Sequence, residues 1–137
     1  MKKRILYITA FCLYVIAVLF LCLSRPENLP YAEFMIFGLP YDKVAHFLMF
    51  LPFPILVHLM FFEISGSRWK DLLILICGIS LGIGAALGIE YLQAMTQYRS
   101  SDIKDVYAGA VGLSAGCIPV LFHIFSKKRT AEPRHRQ

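Results

Sequence analysis

The sequence predicts an all-α membrane protein, a four-transmembrane-helix bundle with both termini cytoplasmic and a polar cluster at the outer face. Of its 137 residues, 58% are apolar and 17% are charged, and the mean hydropathy is +0.62. A soluble domain has about 25% charged residues. The apolar residues fall into four blocks, each close to the ~20 residues that cross a bilayer. The basic residues lie mainly on one side of these blocks.

The four predicted spans are residues 5–23, 44–62, 72–95 and 106–125. The first apolar segment could alternatively be a cleaved signal peptide. Its apolar run, however, exceeds the roughly 7–15 residues of such a segment, and no small-x-small cleavage site follows. We therefore expect an uncleaved helix in a single membrane domain, 1–126, followed by a basic cytoplasmic tail, 127–137. The net charge of +5 follows from the basic flanks of the spans, so no nucleic-acid partner is expected.

The basic residues predict the orientation, because cytoplasmic loops are enriched in Lys and Arg. If the N-terminus is inside, ten of these residues are inside as well: Lys2, Lys3, Arg4, Arg68, Lys70, Lys127, Lys128, Arg129, Arg134 and Arg136. The remaining four are outside: Arg25, Lys43, Arg99 and Lys104. Both termini are therefore predicted to be cytoplasmic.

The segments between the spans carry their own signals. The first outer loop, 24–42, contains an apolar run, 34–39, which suits a segment in the outer interface or a lid over a site. Pro52 and Pro54 are expected to kink the second span. The inner loop around Trp69 is predicted to be a turn. The four cysteines lie inside apolar runs without disulfide or metal-ligand spacing: Cys12, Cys22, Cys77 and Cys117.

Polar residues occur where three spans reach the outer face. The second span opens with Asp42, Lys43 and His46, the third ends with Glu90 and Gln93, and the fourth follows Arg99 and opens with Asp102 and Asp105. At 1.5 Å of rise per residue, His46 and Glu90 each lie about 6–8 Å inside the ends of their helices. We therefore expect them at a similar, shallow depth. An acid inside an apolar segment is expensive unless partnered, which makes Glu90 a candidate functional residue.

Helix phase predicts how this cluster is assembled. One face of the third span carries Gly78, Gly82, Ala86, Glu90 and Gln93, and one face of the fourth carries Asp105, Gly109, Gly112 and Gly116. Small residues let membrane helices approach closely. We expect the two small-residue faces to pack on each other and to place Glu90 and Asp105 at one seam, with Glu90 facing protein.

Each residue also has a structural interpretation. Asp42 and Asp102 are suited to cap helix N-termini, Lys43 to extend to the interface, and Arg99 to pair with an acid. His46 could be a hydrogen-bonded structural residue, and Glu90 part of a structural ion pair. His58 and His123 have no acidic neighbours at helical spacing and are left out of the candidate site.

The ordered set of these residues resembles the VanZ-like family of small bacterial membrane proteins. The matching pattern is Asp42-Lys43-x-x-His46-Phe47, then Glu90-x-x-Gln93, Arg99, Asp102, Asp105 and a glycine-rich helix. It covers about 42–116. The chain departs from the family at Gly109, where Asn is frequent, and at Gln97-Tyr98, where a Pro-Gly turn is common. The resemblance implies a multi-pass protein of the bacterial cytoplasmic membrane in a cell-envelope context, with a link to teicoplanin resistance.

Three functions remain open. The first is engagement of a membrane lipid or lipid-linked cell-wall precursor at the outer leaflet, with Lys43 and Arg99 holding phosphate. Asp42, Gln93 and Asp102 are further ligand-binding candidates under this hypothesis. The second is a membrane hydrolase or transferase with His46, Glu90 and Asp105 as catalytic candidates. No cofactor is required by the pattern, although these three residues suit a divalent metal. The third is a small transporter that forms a homo-oligomer through the glycine faces.

Overall fold

The computed structural model describes residues 2–24, 35–36, 38–61, 67–96 and 102–126, and these residues contain five helices. The helices are α1 (Lys2–Leu23), α2 (Tyr41–Phe50), α3 (Phe53–Phe61), α4 (Arg68–Ala94) and α5 (Ile103–Ser126). By length and hydropathy, four segments could cross a membrane: Lys3–Leu23, Tyr41–Phe61, Arg68–Ala94 and Ile103–Ser126. The predicted bundle of four spans is confirmed. The cytoplasmic orientation of both termini stays a prediction.

The second span is broken where the sequence predicted a kink. Helix α2 ends at Phe50, Leu51 and Pro52 form a turn, and α3 starts at Phe53. Pro52 and Pro54 have no backbone N–H to continue the helical hydrogen bonds, and their rings clash with the preceding turn. The span therefore bends and presents two half-helices to its neighbours.

A short hairpin precedes α2. Strands β1 (Met35–Ile36) and β2 (Leu39–Pro40) pair antiparallel, with Met35 opposite Pro40. Gly38 has a φ of 77°, a conformation that glycine adopts without steric cost. The sequence predicted an interfacial segment or lid here and gave no signal for strands, because two-residue strands are too short for an alternating pattern. The exposed side chains of Met35 and Leu39 are apolar, as an interfacial segment requires.

The predicted packing of the two small-residue faces on each other is wrong. The glycine face of α5 lies against the second span. A Cβ added at Gly112 would come within 2.3 Å of the Phe47 carbonyl oxygen, and one at Gly116 within 2.1 Å of the Leu51 carbonyl oxygen. Both distances are far below van der Waals contact, so these positions accept only glycine without movement of the backbone. The sequence pattern identified the glycine face of α5, but it did not indicate which helix packs against that face.

The small face of α4 receives side chains from two other helices. A Cβ at Gly78 would meet the Val57 side chain at 3.1 Å, and one at Gly82 would meet Leu113 at 2.7 Å and Phe53 at 3.3 Å. The glycine faces are thus covered by the chain's own residues. Homo-oligomerisation through them stays a prediction.

The core lies at the centre of these contacts and extends to α1. It includes Val18, Cys22, Phe50, Phe53 and Leu113, all buried. Two polar bonds fix α1 to the bundle. The Tyr14 hydroxyl donates to the Met49 carbonyl, and the Gln93 amide donates to the Cys22 carbonyl at 2.7 Å. The second bond satisfies an acceptor in the last turn of α1, where helical carbonyls have no partner within the helix.

Element boundaries differ slightly from those predicted. Helix α4 begins at Arg68, so Trp69 lies in its first turn and not in the predicted inner loop. Helix α2 begins at Tyr41, three residues before the predicted span. In both cases polar or interfacial residues continue the helix beyond the apolar block that defined the span. The predicted tail, 127–137, lies outside the described residues.

Candidate functional site

Three helix ends bring a histidine and two acids together. His46 lies in the second turn of α2, Glu90 near the C-terminal end of α4, and Asp105 in the first turn of α5. All three are buried, with exposed fractions of 5%, 7% and 6%. The predicted convergence of these residues is therefore seen, and Glu90 faces protein. We call this end of the bundle the site end.

Lys43 lies beside this group and is surrounded by acids. Its Nζ lies 3.1 Å from Asp42 Oδ2, 3.0 Å from Asp102 Oδ2 and 3.2 Å from Asp105 Oδ1. One ammonium thus joins the start of α2 to the start of α5. Because Lys43 is in contact with three carboxylates, it would have to exchange one of them to hold a phosphate directly.

His46 is held in one orientation by the backbone of its own helix. Its Nδ1 lies 3.1 Å from the Asp42 carbonyl oxygen. A carbonyl oxygen only accepts, so Nδ1 carries the hydrogen in this bond, and Nε2 of the neutral ring is left with its lone pair. Nε2 lies 3.8 Å from Glu90 Oε1, which is too far for a hydrogen bond. Nδ1 also lies 3.7 Å from Asp105 Oδ2.

The Glu90 carboxylate is satisfied on one oxygen only. Its Oε2 accepts the backbone N–H of Asp102 at 3.0 Å. Its Oε1 is buried without a hydrogen-bond partner, as is His46 Nε2, and within the described ranges these are the two buried side-chain atoms found in that state. Two acceptors therefore face each other across 3.8 Å in a buried environment. A buried polar atom without a partner costs about 1–3 kcal/mol, so such a pair indicates a site built for a further group.

Asp102 organises the entrance to α5. Its Oδ1 accepts the Lys104 backbone N–H at 2.9 Å, which confirms the predicted N-terminal cap. This bond, together with the Lys43 ammonium, lowers the pKa of the Asp102 carboxyl. Asp42 does not cap α2, because Pro40 occupies the N-cap position and no side-chain cap bond forms there. Asp42 instead lies in the first turn of α2, where its negative charge interacts favourably with the helix dipole.

The donor atoms of this group suit a metal ion. His46, Glu90 and Asp105 each offer one ligand atom, and these atoms lie within 4.8 Å of one another. One imidazole nitrogen with two carboxylate oxygens is a donor set suited to first-row divalent metals. Alternatively, His46 beside a carboxylate could serve as a general base.

Two other predicted ligand residues have different surroundings. Gln93 is buried at 2% exposure and its amide donates to Cys22, so a contact within the fold accounts for its burial. Its role in ligand binding stays a prediction. Arg99 lies outside the described residues.

The sequence interpretation missed polar residues towards the opposite end of the bundle. His58 Nε2 lies 3.2 Å from His123 Nδ1, with the rings edge to face at 84°. Asp71, in the first turn of α4, is also buried. The two histidines are 65 residues apart in the chain, so no local spacing could have paired them.

The fold and the site together define a multi-pass membrane protein with a buried histidine–carboxylate cluster at one end of its helices. The family model described as VanZ/LLP1 matches residues 6–126, nearly the whole chain. The protein therefore belongs to the VanZ/LLP1 family, which confirms the resemblance found in its motifs.

A relative is found among curated proteins. The chain is 35% identical over 91 residues to an uncharacterized protein of the fission yeast Schizosaccharomyces pombe. The match covers 66% of this chain and 51% of the yeast protein, so the chain spans about half the length of that relative. No solved structure matches.

Proposed function

We propose that this protein engages the polar headgroup of a membrane lipid or lipid-linked molecule through its buried histidine–carboxylate cluster. The observation that carries the proposal is the pair of facing acceptors, His46 Nε2 and Glu90 Oε1, buried without partners. Ionisable groups inside a membrane segment are rare and mark functional sites by default. A structural cluster would have its polar atoms paired.

The position of the cluster supports a headgroup as the ligand. It lies where three spans end, which is the depth at which lipid headgroups meet the hydrocarbon. The β1–β2 hairpin immediately precedes α2 and exposes Met35 and Leu39, apolar side chains suited to the same interface. A lipid could therefore present its headgroup to the cluster while its tails stay in the bilayer.

The basic residues support an orientation for this site. Their excess at the ends of the spans away from the cluster favours cytoplasmic termini, which puts the cluster at the outer leaflet. Together with membership of the VanZ/LLP1 family, this makes the cytoplasmic membrane of a bacterium the proposed location and a lipid-linked cell-wall precursor a candidate ligand.

Retention of lipids by the purified protein tests the proposal. The full chain, reconstituted in nanodiscs that contain phosphatidylglycerol, phosphatidic acid and a polyprenyl phosphate, is released and analysed by native mass spectrometry. We expect selective retention of a phosphate-bearing lipid by the wild type and its loss in Glu90→Gln. Asp71→Asn, which alters a buried carboxylate at the other end of the same helix, is the matched control. Equal retention by all three proteins would contradict the proposal.

A second candidate function is hydrolysis or group transfer on the same class of lipid. The observation that favours it is the orientation of His46, whose ring is fixed by the Asp42 carbonyl so that Nε2 faces the Glu90 carboxylate. A base held in this way is suited to proton transfer. If the wild type releases labelled phosphate from a lipid-linked substrate and His46→Gln does not, turnover is established. Binding without release would support only the first function, engagement of the headgroup.

The link to antibiotic resistance has its own test. Expression of the chain in a susceptible bacterium should reduce killing by teicoplanin, and Glu90→Gln should abolish that protection at equal expression. Protection by both forms would separate the resistance role from the cluster, and protection by neither would reject the resistance role.

A further inference from the structure

Each of the three residues at the centre of the site end has one atom held by a neighbouring group, and His46 and Glu90 each have a second, buried atom without a partner. His46 Nδ1 is engaged by the Asp42 carbonyl, Glu90 Oε2 by the Asp102 backbone N–H, and Asp105 Oδ1 by Lys43 Nζ. The second atoms of His46 and Glu90, Nε2 and Oε1, lack hydrogen-bond partners, and the second oxygen of Asp105, Oδ2, lies 3.7 Å from His46 Nδ1. Metal ligands in proteins are oriented in this way, with a neighbouring group fixing the atom that does not bind the metal.

The charge around these atoms favours a cation. Of the four carboxylates at the site end, three contact the ammonium of Lys43: Asp42, Asp102 and Asp105. Glu90 is outside that set. With Nδ1 of His46 protonated, the lone pair of Nε2 and the Glu90 carboxylate face each other, an arrangement that a positive charge between them would stabilise.

We propose that His46, Glu90 and Asp105 bind a divalent metal ion. The donor set of one imidazole and two carboxylates fits ions such as Mn²⁺ and Zn²⁺. Three protein ligands leave coordination positions for an oxygen of another molecule. The proposal deepens the function proposed above and rests on it in one respect: the ion would join the acidic cluster to a phosphate oxygen of the headgroup. It explains how an acidic site could hold an anionic ligand while Lys43 stays with its carboxylates.

The ion alone is the probe for the first experiment. The full-length protein in detergent, freed of metal by chelation, is titrated with Mn²⁺ and, separately, with Zn²⁺ by calorimetry. We expect one ion per chain, and affinity at least about tenfold weaker in Glu90→Gln and in Asp105→Asn, because even second-shell losses cost 10–100-fold. Asp71→Asn should bind like the wild type. Absence of saturable binding of either ion, or wild-type affinity in both site variants, would overturn the metal site.

A spectroscopic measurement on the unaltered protein covers the case in which a variant does not fold. Electron spin-echo modulation of wild-type protein with one equivalent of Mn²⁺ should show coupling to an imidazole nitrogen. A His46→Gln chain that folds by circular dichroism should lack it. Bound Mn²⁺ with oxygen ligands only would reject His46 as a ligand, and with it the proposed site.

The lipid assay separates this inference from the proposed function. Lipid retention that depends on Glu90 but survives metal chelation, in a protein that binds no ion, would leave the proposed function standing and reject the metal. Metal binding without any lipid retention would do the reverse.

Discussion

The two ends of α4 each bury a carboxylate, and they differ in how the neighbouring polar atoms are satisfied. Near Glu90, His46 Nε2 and Glu90 Oε1 lack partners. Near the other end, Asp71 has an interaction partner, and His58 lies within hydrogen-bond distance of His123. Burial of a charged group is therefore common to both ends and does not identify a site. The proposed site rests instead on the unsatisfied atoms, because most buried polar atoms in folded proteins have a hydrogen-bond partner.

Substitution at the seam between α2 and α5 should break the site end most severely. Gly112→Ala puts a Cβ 2.3 Å from the Phe47 carbonyl oxygen, and the backbone must move to relieve it. We expect the free energy of unfolding to fall by about 1–3 kcal/mol, the usual cost of overpacking. Chemical denaturation in detergent measures the loss.

The matched control lies on α4. A Cβ at Gly84 would meet nothing within 4 Å. Gly84→Ala should therefore be neutral or stabilising by up to about 1 kcal/mol, the difference in helix propensity between the two residues. Equal destabilisation by both substitutions would refute the close approach of α2 to α5.

Gln93 tests which buried polar residues at the site end serve the fold. Gln93→Leu removes the donor to the Cys22 carbonyl in the last turn of α1. We expect a loss of about 1–3 kcal/mol of stability, because a buried acceptor loses its bond. Lipid retention by the folded fraction is measured in parallel, and unchanged retention would limit the role of Gln93 to the fold. Loss of retention without loss of stability would instead place Gln93 among the ligand residues.

Substitutions at the two ends should shift stability in opposite directions. Glu90→Gln keeps an oxygen for the Asp102 N–H and offers an amide donor to His46 Nε2. In metal-free protein it should raise the free energy of unfolding by about 1 kcal/mol. His123→Ala removes a partner of His58 and should lower it by about 1 kcal/mol. Thermal unfolding of both variants beside the wild type decides this, and destabilisation by Glu90→Gln would show that the site end is a structural cluster.

The smallest expected effect concerns pH. The Lys104 N–H and the Lys43 ammonium lower the pKa of Asp102 in the folded protein, so its ionised form contributes stability above the unfolded pKa of about 3.9. That contribution is lost as pH falls through the lower folded pKa. The wild type and Asp102→Asn are therefore compared between pH 5 and pH 3, a range of about two units around that pKa. Over this range, the midpoint temperature of unfolding should fall more for the wild type than for Asp102→Asn. Parallel curves would show that neither the Lys104 N–H nor the Lys43 ammonium stabilises the ionised form of Asp102.

The sequence was informative about the fold where one local property dominates. Apolar length identified the four spans, and the missing N–H groups of Pro52 and Pro54 located the bend. Helix phase placed Glu90 and Asp105 on buried faces. The partner of the α5 glycine face was not predictable in this way, because a stripe of small residues does not specify which helix covers it.

The candidate site was predictable in its members and not in its bonds. His46, Glu90 and Asp105 converge because they share one end of the helices. The three carboxylates on Lys43 and the link from Asp102 to Glu90 depend on side-chain orientation across three elements. The pairing of His58 with His123 was missed for the same reason.

The most direct test is an experimental structure of the protein in lipid with Mn²⁺, using anomalous scattering to locate the ion. We expect one anomalous peak between His46 Nε2 and Glu90 Oε1, with His46 Nε2 and oxygens of Glu90 and Asp105 as its protein ligands. No such peak is predicted beside His58 and His123. A structure in which His46 and Glu90 bond directly to each other, with no density between them, would contradict this expectation.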